Sequence, residues 1–180
     1  MMFCFAYGSN LDKDQMVDRC ESAKYIGNAC LKGYRLDFTR FSGTRGCAVA
    51  DVVEEESSEV WGVIYEISEE DCNKLDGCEG YRPGRAKKEN AYNREVIEVF
   101  ENGDPDRPKE VSIYIANKQT NPGYPSREYQ DHILKGARHF NLPESYIEML
   151  EQVKIKKNSR LRRWFLKQMP VREDFMGDGF

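Results

Sequence analysis

An unbroken apolar run from Met2 to Ala6 predicts a short buried β-strand. The period then changes. After Tyr7-Gly8-Ser9-Asn10-Leu11, apolar residues recur at Met16, Val17 and Cys20 with helical spacing. From Ala29 to Phe41, Leu31, Tyr34, Leu36, Phe38 and Phe41 alternate with polar residues, which predicts one bent strand or two short ones with Gly33 at the bend. Ser42 to Gly46 reads as a turn, and Cys47 to Val53 as a small-residue strand that closes on an acidic loop, Glu54 to Ser58. Val60 to Ile67 is the most apolar strand, with Gly62 marking a bulge or a close approach. Ser68-Glu69-Glu70-Asp71 has the pattern of a capping box and opens a helix that carries Cys72 and Leu75 inward and stops at Gly77 or Gly80.

Tyr81 to Ala91 is rich in Gly, Pro and Lys and reads as a surface loop. Tyr92 to Phe100 alternates as a strand, although either face suits the core. Asn102-Gly103-Asp104-Pro105 is a turn before another strand, Val111 to Ala116. Ser126 caps a helix with Tyr129, Ile133, Ala137 and Phe140 on one face. Leu142-Pro143 begins a second, carrying Tyr146, Ile147, Leu150 and Val153. About six strands come early and three or four helices come mostly late, an α+β order without internal repeats.

Composition narrows the function classes. The chain is 39% hydrophobic and 32% charged, ordinary for a single soluble domain, and no apolar run approaches the length of a membrane span. Six cysteines are dispersed without a CxxC pair, and His132 and His139 are the only histidines. A zinc site or a Cys/His nucleophile is therefore not expected, and the thiols read as buried groups in a reducing cytoplasm. The net charge of −4 conceals an asymmetry: residues 151–172 carry about +7 and the remainder about −11.

The abrupt passage from strand to turn to helix around Gly8 leaves several backbone amides converging, an arrangement suited to a carboxylate or an oxyanion. Gly8 permits close approach or a positive φ, and Ser9 or Asn10 can cap the helix; an ordinary capped turn has the same spacing. Tyr7-Gly8-Ser9-Asn10-Leu11 also looks like the signature loop of the γ-glutamylcyclotransferase family. A second segment, Leu75-Asp76-Gly77-Cys78-Glu79-Gly80-Tyr81, resembles that family's acidic hallmark. The two occur in the family's order and approximate separation. A looser similarity continues through Tyr114-Ile115-Ala116-Asn117 and Phe140-Asn141-Leu142-Pro143.

The resemblance implies a small mixed β-barrel of about six strands flanked by helices, occupying residues 1–153. It also implies a cyclotransferase that attacks a γ-glutamyl amide with the substrate's own α-amine, releasing 5-oxoproline and a free amine. Because the nucleophile belongs to the substrate, neither metal nor cofactor is required. Glu79 is the implied proton shuttle; considered alone it would be a solvated glutamate beside a capping glycine. The amides of Gly8, Ser9, Asn10 and Leu11 are expected to hold the α-carboxylate, with Tyr7 and Tyr114 lining the pocket. Tyr92 is a further candidate for the pocket wall, although the loop from Arg82 to Asn90 is longer than the family pattern and shifts its alignment. Asp76 is expected to cap or pack locally. Nothing in either motif identifies the leaving amine.

Residues 154–180 form a basic and aromatic extension. Its cations suit nucleic acid, an anionic membrane surface or an acidic partner. Its Leu161, Trp164, Phe165 and Leu166 instead fit packing on the domain or on a second subunit, as in a homodimer. That packing is the preferred expectation, with neither nucleic acid nor membrane as a partner.

Overall fold

A computed structural model describes residues 1–156 of the chain. The apolar residues Leu161, Trp164, Phe165 and Leu166, on which the reading of the extension rests, lie outside the described residues. Five strands close into a barrel: β1 (Met2–Ala6), β2 (Lys24–Ser42), β3 (Cys47–Ile67), β4 (Tyr92–Glu101) and β5 (Pro108–Ala116), in the spatial order β1-β3-β2-β4-β5. Every pairing is antiparallel except β1 with β5, which run parallel at Cys4 and Ser112. Four α-helices flank the barrel: α1 (Lys13–Arg19), α2 (Glu69–Glu79), α3 (Arg127–His139) and α4 (Glu144–Glu151).

Five strands replace the expected six or so because the acidic stretch is not a loop between two strands. β3 runs continuously from Cys47 to Ile67. Its residues 55–58 bulge outward opposite Gly33 alone, between the pairs Tyr34–Glu54 and Lys32–Glu59. Gly33 supplies the matching kink in β2 with φ of 78°, a left-handed conformation that glycine adopts freely. Gly62 is a close-approach position, since a Cβ there would lie 2.3 Å from the Ala6 carbonyl oxygen.

The core is filled by Phe5, Leu11, Met16, Ile64, Tyr65, Leu75, Ile113, Ile133 and Leu150, each less than 2% exposed. Burying one such side chain contributes ~1.5–3 kcal/mol. Leu11 ties the loop after β1 to α3, whose Gly136 faces it so closely that a Cβ would lie 2.2 Å from the Leu11 oxygen. Five cysteines are buried as free thiols, whereas Cys78 is exposed at the end of α2. No helix among the described residues is long and apolar enough to cross a membrane.

Candidate active site

The loop leaving β1 runs through Gly8 into a single 3₁₀ turn, Ser9–Leu11, and then into α1. Asp12, rather than Ser9 or Asn10, caps α1 by accepting from the Asp14 amide at 3.1 Å. Asn10 does not cap because its Oδ1 accepts instead from the Gln15 and Arg19 side chains, while its Nδ2 donates to Glu79. Asp12 is itself buried and is held by Lys135 at 3.0 Å and His132 at 3.0 Å, which pin the loop to α3. Burial works against its carboxylate, but these partners hold its pKa below the usual range.

The four loop amides are not equivalent. The Leu11 amide donates to the Gly8 carbonyl at 3.0 Å, and its side chain is fully buried, so Leu11 is an anchor and not a binding donor. The amides of Gly8, Ser9 and Asn10 donate to no atom among the described residues. Gly8 has φ of −103°, so what it supplies is clearance: a Cβ would stand 3.1 Å from that of Ala50.

Glu79 ends α2, where Gly80 takes the left-handed capping conformation at φ 66°. Its carboxylate turns toward the loop. Oε1 accepts from Asn10 Nδ2 at 3.1 Å and from Arg19 Nη1 at 3.0 Å. Oε2 accepts nothing from the described residues, yet it is not sealed in; the buried orphan atoms are the Tyr65 and Tyr146 hydroxyls. The Glu79 side chain is 15% exposed. Its burial raises the pKa above the ordinary glutamate value, while Arg19 and Asn10 oppose that rise.

A small cavity of about 40 Å³ lies between the loop and Glu79, walled by Phe5, Tyr7, Ala50, Tyr92, Tyr114 and Tyr129. It meets a larger cleft of about 630 Å³ at Ser9, Glu79, Tyr92 and Tyr129, which line both. Tyr7 and Tyr114 contribute rings to this wall, but their hydroxyl protons are committed elsewhere. Tyr7 donates to the Tyr114 carbonyl at 2.6 Å, and Tyr114 donates to Asp76 Oδ1 at 2.7 Å. Asp76 also accepts from Arg94 at 3.0 Å, so instead of capping or packing locally it ties α2 to β4 and β5.

Several residues of the site carry no motif signal. Tyr92 donates to the Ala50 carbonyl at 2.7 Å, and Tyr129 accepts from the Ala50 amide at 3.1 Å. Together they fix the strand that faces Gly8. Arg19, Gln15 and Arg45 form a polar rim: Gln15 donates to Ser9 Oγ at 2.9 Å and Asn10 Oδ1 at 3.1 Å, and Arg45 donates to both Gln15 and Ser9. No cluster of metal-ligating side chains occurs among the described residues.

The chain shares this architecture with known proteins. A family model described as the AIG2-like family matches residues 59–150. The γ-glutamylcyclotransferase of Mus musculus is 31% identical over 157 residues, covering 83% of this chain and 77% of that protein. The Homo sapiens γ-glutamylcyclotransferase is 31% identical over 159 residues, with the same coverage of 83% and 77%. A solved γ-glutamyl cyclotransferase structure superposes with a TM-score of 0.76 at 26% identity, covering 92% of this chain and 98% of that one. The chain belongs to the AIG2-like, γ-glutamylcyclotransferase-like family.

Proposed function

We propose that this protein cyclises a γ-glutamyl amide, releasing 5-oxoproline and the amine formerly bound to the γ-carbonyl. One observation carries the reading: Glu79, whose Oε2 accepts no hydrogen bond from the described residues, lines the same cavity as Gly8, Ser9 and Asn10, whose amides are unengaged. Those amides suit the substrate's α-carboxylate. The bound glutamyl half then presents its α-amine to its own γ-carbonyl, beside Glu79.

The chemistry needs orientation and proton traffic. The α-nitrogen bonds to the γ-carbon, and the bond from that carbon to the leaving nitrogen breaks. Two protons leave the attacking nitrogen and two reach the departing one, which is released as an ammonium. The carboxyl of Glu79 therefore ends in the state in which it began. Holding the substrate in a folded, near-attack geometry removes the entropy cost of freezing the rotors between its amine and its own γ-carbonyl. A positioned shuttle adds about 10²–10⁴-fold. The pKa raised by burial suits the task, because it makes the carboxylate a stronger acceptor for the proton of the α-ammonium.

The test is 5-oxoproline release from a panel of γ-Glu-Ala, glutathione and γ-Glu-ε-Lys. Turnover of at least one compound is expected without added metal. Absence of 5-oxoproline from the whole panel would contradict the reading.

A further inference from the structure

The loop from Arg82 to Asn90 takes no part in the proposed reaction, yet it walls a second cavity, of about 400 Å³, against α2. Asn73 and Asp76 come from the helix, and Tyr81, Arg82 and Arg85 from the chain that follows it. The loop has a fixed shape. Pro83 and Gly84 form the centre of a β-turn, in which Gly84 has φ of 78° and the Arg85 amide donates to the Arg82 carbonyl at 3.2 Å. Proline followed by a residue of positive φ is the type II pattern, which brings the Cα atoms of the two flanking arginines within about 7 Å. A chain of asparagines holds this turn. The Arg82 amide donates to Asn90 Oδ1 at 3.3 Å, Asn90 Nδ2 to Asn93 Oδ1 at 3.0 Å, and Asn93 Nδ2 to Asn117 Oδ1 at 3.2 Å. Asn117 Nδ2 in turn donates to the Asn90 carbonyl at 2.7 Å.

Arg82 is exposed and Arg85 half-buried, and neither guanidinium has a hydrogen-bond or ion-pair partner among the described residues. The Asn73 amide and the Tyr81 hydroxyl have none there either. The acid on the cavity wall, Asp76, is already spent on Tyr114 and Arg94. Arg94 also lies over the Tyr81 ring, 5.4 Å from its centroid, which steadies that wall. Two unopposed positive charges therefore stand side by side, with neutral hydrogen-bonding groups near them. A carboxylate has two oxygens and satisfies one guanidinium fork. A phosphate monoester has three terminal oxygens and up to two charges, enough for both. The cavity leaves room beyond the phosphate for a small polar body within reach of Asn73 and Tyr81.

We infer that this cavity binds the phosphate monoester of a small polar molecule, with Arg82 and Arg85 holding the phosphate. The site is separate from the one proposed for catalysis, and the inference does not rest on that reaction. Its ligand lies against Gly77 and Gly80, which also line the cleft of Glu79.

The probes are glycerol 3-phosphate, glycerol and inorganic phosphate, each titrated calorimetrically into the full chain. Glycerol 3-phosphate is expected to bind at least about 10-fold more tightly than glycerol, and about 3-fold more tightly than inorganic phosphate. The double variant Arg82→Gln, Arg85→Gln should lose about 10-fold or more of that affinity. Its denaturation midpoint should stay close to that of the unmodified protein, because neither side chain has a partner to lose. Asn73→Ala, on an exposed position of α2, should weaken glycerol 3-phosphate by about 3-fold and leave inorganic phosphate unchanged. It provides an independent check if the double variant disturbs the turn. Binding that the double variant leaves intact would put the phosphate elsewhere, on the amides of Gly8 to Asn10 or in the larger cleft, and overturn the site. Glycerol 3-phosphate binding no tighter than glycerol would overturn it too. Equal affinity for glycerol 3-phosphate and inorganic phosphate, lost together in the double variant, would show a site for an inorganic anion only and overturn the monoester.

Discussion

Asp76 and Glu79 stand one turn apart on α2, each against an arginine, and the fold surrounds them differently. Asp76 has both oxygens engaged: Oδ1 accepts from the Tyr114 hydroxyl and Oδ2 from Arg94, with its side chain 4% exposed. Glu79 lines a cavity and gathers its partners, Asn10 and Arg19, on one oxygen, leaving the other without a donor among the described residues. A carboxylate with both oxygens engaged by other elements of the fold is a structural tie. One that is desolvated yet half-engaged suits the proton transfers proposed for Glu79.

The comparison breaks first at Asp76. Asp76→Ala strips the acceptor from Tyr114 and leaves Arg94 without its carboxylate. Arg94 is 23% exposed, which places the cost at about 2–3 kcal/mol, below the range for fully buried pairs. Urea denaturation should show this as a lower midpoint with little change in slope. A change under about 1 kcal/mol with activity abolished would mean that Asp76, not Glu79, is the reactive acid.

A smaller effect tests the wall. Tyr7→Phe deletes the 2.6 Å hydrogen bond to the Tyr114 carbonyl and keeps the ring that lines the cavity. Stability should drop by about 1–2 kcal/mol, read by the same denaturation. If the hydroxyl has no catalytic part, kcat should fall by less than about 10-fold. A larger loss would assign it a direct contact with the reacting atoms.

The Arg19 side of the comparison is sharpened by pH. Arg19 favours the charged form of Glu79 and thereby opposes the upward shift caused by burial. Arg19→Met removes that opposition, so the Glu79 pKa rises further. The shuttle must begin as a carboxylate, so the acid limb of the kcat/KM profile should move to higher pH. An unmoved limb would show that another group governs it.

Much of this was legible in the sequence because it is local. The strand before Tyr7, the helix ending at Gly80 and the two motifs each lie within a few consecutive residues. The acidic run Glu54 to Ser58 misled because exposed bulge residues have the same polarity as a loop, while the pairing that makes them strand lies in β2, opposite Gly33. The choice of Asp12 as cap was hidden likewise. Three capping residue types occur between Ser9 and Asp12, and only the fold shows that the Asn10 oxygen is taken by Gln15 and Arg19. Arg19, Arg45, Tyr92 and Tyr129 come from separate elements, so no spacing in the chain marks them as one site. Tyr129 carried a signal only as an apolar-face residue of α3, and its hydrogen bond to Ala50 is a tertiary fact.

The most direct test of the central claim is 5-oxoproline release by Glu79→Gln, using the best substrate of the panel. Glutamine keeps the size of the side chain and an acceptor for Arg19 and Asn10 while removing the group that titrates. Turnover should fall by about 10²-fold or more, with the denaturation midpoint close to that of the unmodified protein. Turnover near the unmodified rate would contradict the assignment of the proton shuttle to Glu79.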